Sequence, residues 1–297
     1  EPMGDFLSTY SIQRWLESCP QGYLGGTEYG HLPGEHEPDR LVSDAAICEH
    51  AIRVTVQLVA AERCALAASS GLINAAPDDA SKRFLATQTL DEARHVEVFT
   101  QRLYDLGVRK AELEDVIRQR VSGNLAKCAG ILLEKVDKKD FVAGIVGQNI
   151  VLESIAFTVL DMMHAGNQSV NPKFARTLSG TIADERRHVG FGENRIGSLI
   201  RENPERKPEI ERMQRDMAHW MLAAFADSLC DRPAREGLRA LRENIGGFDA
   251  PQAKWRGADL GSLEPEEMAR LLADTVLKEL EIRLGRIGLE CRTPANP

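Results

Sequence analysis

Asp91-Glu92-Ala93-Arg94-His95 and Asp184-Glu185-Arg186-Arg187-His188 spell one chemical phrase twice, D-E-x-R-H, and this repeat decides the fold. A lone glutamate in an apolar run precedes each copy: Glu62 stands 30 residues before Glu92, and Glu153 stands 32 before Glu185. On a helix, positions i and i+3 share a face about 5–6 Å apart at Cβ. Glu92 with His95 can therefore grip one cation, and Glu185 with His188 a second. A gap of roughly 30 residues is consumed by half a helix, a short turn and half of the next antiparallel helix. The resulting order, Glu, Glu-x-x-His, Glu, Glu-x-x-His, matches the inward-pointing ligands of a four-helix-bundle di-metal site.

The spacing alone is weak, because Glu28-Tyr29-Gly30-His31 shows it too, in a Gly-rich stretch with no helical pattern. The neighbours of the repeated phrase carry the argument. Glu62 shares a helical face with Leu58, Val59, Ala65 and Leu66. Glu153 shares one with Val146, Ile150, Ala156, Phe157 and Leu160, and Glu92 and His95 sit with Leu85, Val96 and Phe99. A carboxylate on an apolar stripe costs several kcal/mol unless it is paired or metal-bound. Four such carboxylates and two imidazoles explain one another.

Outward from this core, the pattern predicts long helices at about 43–75 (with Ser43 as N-cap), 79–106, 138–165 and 171–202, the last opened by Asn171-Pro172. A single connecting helix at about 110–135 would be the long crossover between the two hairpins. Further helices are expected at about 208–230, 234–244 and 264–287, with a loop from Gly246 to Gly261. Residues 1–40, rich in Gly, Pro, His and Tyr, read as an arm with one short helix near Leu7–Glu17. Its aromatics (Phe6, Tyr10, Trp15, Tyr23, Tyr29) would pack on the bundle or cover the site. The expected organisation is one all-α domain: arm 1–40, four-helix core 41–204 and accessory helices 205–297.

Composition agrees. Aromatics are 5% and charged residues 28%, in long Ala/Leu/Glu/Arg-rich stretches, the profile of a helical protein. The formal net charge of −8 and the lack of a basic stripe argue against a nucleic-acid partner. The six cysteines are scattered without a C-x-x-C pair, which suits buried free thiols in a reducing compartment. No signal-peptide pattern and no unbroken apolar run of about 18 residues is seen. A cytoplasmic protein without membrane contact is expected. His164 and His219 read as structural or surface groups.

Carboxylate and imidazole donors suit iron, or manganese at one position, and two divalent ions would neutralise four carboxylates. A metal-bound histidine usually gives its other N–H to an acceptor. Asp184 is expected to reach His95 and Asp91 to reach His188, with Arg94 and Arg187 closing the network.

The doubled E…D-E-x-R-H resembles the ferritin-like di-iron oxygenases and oxidases: bacterial multicomponent monooxygenases, acyl-carrier desaturases, ribonucleotide reductase small subunits and p-aminobenzoate-type N-oxygenases. The resemblance spans about 43–202. It implies a ferritin-like bundle with Glu62, Glu92, His95, Glu153, Glu185 and His188 as ligands to two irons, Glu92 and Glu185 bridging.

Departures narrow the branch. Phe99 stands where ribonucleotide reductases carry a radical tyrosine, and Thr181 where the N-oxygenases carry an extra histidine. Ala156 and Phe157 stand where monooxygenases and desaturases place a threonine, leaving Thr181 as the candidate replacement. Gly190 and Gly192 mean either close helix packing or a substrate cavity, whose candidate walls are Phe99, Phe157 and Phe191.

The resemblance thus implies activation of O2 to oxidise a small organic substrate by hydroxylation, N-oxygenation, desaturation or oxidative cleavage. The alternatives are a manganese–iron ligand-binding oxidase and an iron-storage or detoxification bundle. No flavin or nicotinamide fingerprint and no Fe–S cysteine cluster is present, so an external ferredoxin or reductase is expected as partner, or the substrate itself as reductant. A homodimer is expected.

Overall fold

The computed structural model describes residues 34–230, 232–244 and 254–290. The expected arm helix, its five aromatics and the Glu28/His31 pair lie outside them. The described helices are α1 (Asp39–Ser43), α2 (Ala45–Ile73), α3 (Asp79–Asp105), α4 (Leu113–Arg120), α5 (Gly123–Asp137), α6 (Phe141–Ile145), α7 (Glu153–Asn167), α8 (Pro172–Glu202), α9 (Lys207–Cys230), α10 (Arg232–Asn244) and α11 (Pro265–Arg286). A π-helical segment, Val146–Leu152, joins α6 to α7 without a break.

Local chemistry sets most boundaries. Asp44, not Ser43, caps α2: its carboxylate accepts from the Ala46 and Ile47 amides, and Ser43 instead ends the short α1. Asp78 caps α3 through the Ser81 amide, and that helix gives way at Gly107, whose φ of 95° suits a residue without a side chain. Asn171 caps α8 through Phe174 N, with Pro172 at the first helical position. Glu264 and Glu267 form a reciprocal capping box on α11.

The predicted single connecting helix is two, α4 and α5. They are separated at Val121-Ser122, where the Ser122 hydroxyl caps the new helix, and Gln57 Nε2 takes the Arg120 carbonyl at 2.8 Å. The expected loop up to Gly261 contains a small antiparallel hairpin, Lys254–Trp255 paired with Ala258–Asp259. It is pinned by Trp255 Nε1, which donates to Asp161 at 2.8 Å.

Helices α2 and α3 form one antiparallel hairpin, and α7 and α8 the second; α4 and α5 cross between them. The accessory helices pack on this bundle: α9 on α5 and the π-helical segment, α10 on α2, and α11 on α7, α8 and α9. The main core runs from Ala68 and Leu72 through Leu132, Ile145 and Ile155 to Met221 and Leu272 on the accessory helices. A second cluster, with Val56, Val59, Phe99, Leu103 and Leu178, fills the bundle end beyond the metal-type residues.

Two helical stretches, Ala45–Ile73 and Phe141–Asn167, are long and apolar enough to cross a membrane by length and composition, though neither is an unbroken apolar run. The second is mostly buried inside the bundle, and each carries one of the buried glutamates. Core packing accounts for their character.

The segment ahead of α1 is tied down by buried polar contacts. Arg102 lies 3.5 Å over the Phe174 ring and donates to Thr55 Oγ1 at 2.5 Å, with Glu37 at 3.4 Å. Asn171 Nδ2 donates to the other Glu37 oxygen at 2.6 Å.

Candidate metal centre

The middles of α2, α3 and α8 and the junction of the π-helical segment with α7 bring Glu62 (α2), Glu92 and His95 (α3), Glu153 (first residue of α7) and Glu185 and His188 (α8) together. All are at most 6% exposed. Their donor atoms form two overlapping groups. Glu62, Glu92, His95 and Glu185 make one, Glu92, Glu153 and His188 the other, with all atoms of a group within 4.8 Å of one another. Glu92 belongs to both.

Each histidine turns Nδ1 inward. His95 Nδ1 lies 3.3 Å from Glu62, 3.4 Å from Glu92 and 3.8 Å from Glu185. His188 Nδ1 lies 3.3 Å from Glu92, 3.7 Å from Glu153 and 3.8 Å from Glu185. Each turns Nε2 outward to an aspartate on the opposite helix: His95 to Asp184 at 3.0 Å, His188 to Asp91 at 3.2 Å. An Nε2–H donated to aspartate fixes the tautomer and leaves the Nδ1 lone pair facing the centre. Arg94 donates to Asp184, and Arg187 donates to both Asp91 (3.0 Å) and Asp184 (2.7 Å). Two guanidinium charges thus balance two aspartates, and four glutamates remain for two divalent cations.

The electrostatics show a centre built for positive charge. Burial pushes Glu62 up to about 8, against the pull of His95, and lifts Glu153 well above the ordinary carboxylate range. Glu185 is raised by burial and by Glu92. Burial pulls His95 down, but Glu62 and Glu92 outweigh it and carry the ring up to about 9. His188 is likewise raised, by Glu153 above all, against burial. Glu92 is held low despite burial by the two imidazoles. With no cation, protons must hold this cluster together. Several inward atoms lack a hydrogen-bond partner despite full burial: Glu92 Oε2, Glu185 Oε2 and His188 Nδ1. Buried polar atoms without partners are rare in folded proteins, and these three point into one cluster. Donor types, charge balance and orphaned atoms all fit a pair of metal ions.

Three further residues meet the cluster that the motif did not reveal. Gln88 Nε2 donates to Glu153 Oε1 at 2.6 Å, Gln148 Nε2 to the same oxygen at 2.7 Å, and Asn149 Nδ2 to Glu153 Oε2 at 3.1 Å. The signal was there: Gln148-Asn149 interrupts an apolar run, and Gln88 stands one turn before Glu92.

The expected pocket residues go elsewhere. Phe99 is fully buried in the second cluster. Phe157 lies under the guanidinium groups of Arg186 and Arg283, and Phe191 stacks on Phe84 at 4.1 Å. Thr181 Oγ1 turns back to the Thr177 carbonyl at 3.3 Å. Gly192 is a close-packing glycine: a Cβ there would sit 2.5 Å from Asn149 Cβ. His164 and His219 do not join the cluster. Cys64 and Cys128 are buried free thiols, and Cys48 is a half-buried one.

A cavity of about 160 Å³ opens instead between α2 and α7, under α10 and α11. Its wall is mostly apolar and includes Leu58, Val159, Met163, Phe174, Leu241 and Leu272, with His50, Gln57, Arg102 and Asn167 as polar points. None of the six carboxylate and imidazole donors lines it; Leu58, on its wall, is one helical turn from Glu62.

No protein-family model and no curated protein matches the chain. Solved structures do. A protein with aldehyde deformylating oxidase activity from Synechococcus superposes with a TM-score of 0.60 at 16% identity, over 84% of this chain and 94% of that one. A point variant of an R2-like ligand-binding oxidase with an aerobically reconstituted Mn/Fe cofactor gives 0.59 at 14% identity, over 82% of each chain. The fold shared with both is the ferritin-like helical bundle.

Proposed function

We propose that this chain is a non-haem di-metal oxidase or oxygenase that uses O2 to oxidise a small organic molecule with an apolar body. The observation that carries the reading is the buried set of four glutamates and two histidines, each histidine backed by an aspartate from the facing helix. Glu62, Glu92, His95 and Glu185 would hold one ion, and Glu92, Glu153 and His188 the other.

Two irons at these positions would supply the redox chemistry that activates O2. The mixed manganese–iron alternative draws support from the likeness to the R2-like oxidase. Everything else falls to the chain's own side chains. Asp91 and Asp184 orient the imidazoles, and Arg94 and Arg187 neutralise those aspartates. The apolar wall from Leu58 to Leu272 offers a place for the substrate's hydrocarbon part. An apolar cavity in the same bundle, roofed by α10 and α11, favours an enzyme over a storage bundle, whose need is an acidic path for ions.

The test combines metal analysis with O2 uptake. The purified or reconstituted chain should hold two iron or manganese ions. Once chemically reduced, it should consume O2 faster with apolar organic substrates present. Glu92 serves both groups, so Glu92→Ala should lose both metals and all uptake. Full occupancy in that variant would overturn the assignment. Sustained turnover should require an added ferredoxin or reductase; many turnovers on O2 and substrate alone would make the substrate the reductant.

A further inference from the structure

The two halves of the centre are not equivalent, and the difference lies in one carboxylate. Among the described residues, Glu62 has His95 Nδ1 at 3.3 Å and no amide donor. Its counterpart Glu153 has three. Gln88 and Gln148 both donate to Oε1, at 2.6 and 2.7 Å, and Asn149 donates to Oε2 at 3.1 Å. A carboxylate oxygen offers two lone-pair sites in its plane. Both sites of Oε1 are taken by amides, although Oε1 is the oxygen 3.7 Å from His188 Nδ1.

The π-helical segment makes this cradle. Asn149 stands four residues before Glu153 and would share its face on any helix. Gln148 stands five before, and on a regular α-helix would point about 140° away. Here the backbone widens, with Glu153 N–H bonded to the Gln148 carbonyl five residues back, and both amides reach one carboxylate. Single π turns inside α-helices often mark functional positions. Gly192 completes the device, since any side chain there would collide with Asn149.

We propose that Gln88 and Gln148 are positioning residues that hold Glu153 Oε1 back from a metal, so that the Glu92/Glu153/His188 position fills second and more weakly than the Glu62/Glu92/His95/Glu185 position. A cation that takes Glu153 through Oε1 displaces at least one amide, whereas Glu62 in the first position carries no amide to displace. This rests on the di-metal reading above.

The experiment is a Mn(II) titration of the metal-free full chain, followed by calorimetry and by the EPR signal of free Mn(II). The wild type should bind in two resolved steps. Gln148→Leu returns a lone pair to Oε1, so its second step should tighten by roughly tenfold, since a hydrogen bond to a charged group is worth somewhat more than that factor. The first step should hold constant. General structural damage would weaken both steps, so selective tightening of the second is the signature. Gln88→Leu frees the same oxygen from a different helix, while also removing a 3.4 Å contact to Glu92 Oε1 and the oxygen to which Asn149 Nδ2 donates, and it decides the matter if Gln148→Leu loses its helical circular dichroism. A second step unchanged or weakened in the folded variants would overturn the cradle, as would two equivalent steps in the wild type. No Mn(II) binding by the wild type would overturn the di-metal reading itself.

Discussion

Asp184 on α8 reaches across the bundle to His95 Nε2 on α3, at 3.0 Å, while Asp91 on α3 returns the contact to His188 on α8. The exchange locks the two Glu-x-x-His helices face to face. Arg187, donating to both aspartates, ties the two contacts together.

Replacing Asp184 tests this lock. Asp184→Asn keeps the size but weakens the acceptor, and loss of such a partner typically costs about 10–100-fold in metal affinity. Asp184→Leu should cost more, because it leaves the His95 N–H buried without an acceptor. Glu112→Leu, which removes only a surface pair with Arg109, should leave affinity unchanged. Mn(II) affinity measured in all three checks this, and equal values would show that the aspartates do not hold the imidazoles.

The raised carboxylate and imidazole values give a pH dependence with a definite sign. Glu62 moves from 4.5 to about 8 on folding, so its contribution is full below 4.5 and lost as pH rises through 8. His95 moves from 6.5 to about 9, so its contribution is full below 6.5 and lost as pH rises through 9. The metal-free protein should therefore melt at progressively lower temperature from pH 6.5 towards 9. Metal binding must release the same protons, so stabilisation by Mn(II) should grow over that range. Melting curves with and without Mn(II) decide it; a shift that shrinks with rising pH would contradict the protonated apo-centre.

Gly192→Ala should destabilise the fold by about 1–3 kcal/mol, the usual cost of overpacking, because the new Cβ meets Asn149 Cβ at 2.5 Å. Gly192→Ser, with the same Cβ and one more atom, should cost at least as much. Chemical denaturation of the two variants measures it. Full tolerance of the single substitution would mean that α8 and the π-helical segment are free to separate.

What the sequence determined by itself is whatever local spacing encodes. The i, i+3 pairs Glu92/His95 and Glu185/His188, the intervals to Glu62 and Glu153, and the cap at Asn171 follow from helix geometry and neighbouring residues. The four long helices and the meeting of all six donors were legible from them. The aspartate–histidine exchange was legible too, because the duplicated phrase implies a near-symmetric pair of helices.

Tertiary structure alone decided the rest. Gln148-Asn149 interrupts the apolar run from Val146 to Leu152, but that interruption does not say that the backbone widens into a π turn there. The joint reach of Gln148 and Asn149 to Glu153 and the packing role of Gly192 follow only from that widening. The break at Ser122 depends on Gln57, which caps Arg120 from another helix. Phe99, Phe157 and Phe191 are apolar residues near the motifs. Whether an apolar side chain walls a cavity or fills a core depends on what packs opposite. The cavity itself is bounded by α2, α7, α10 and α11, which are distant in sequence and meet only when the chain has folded.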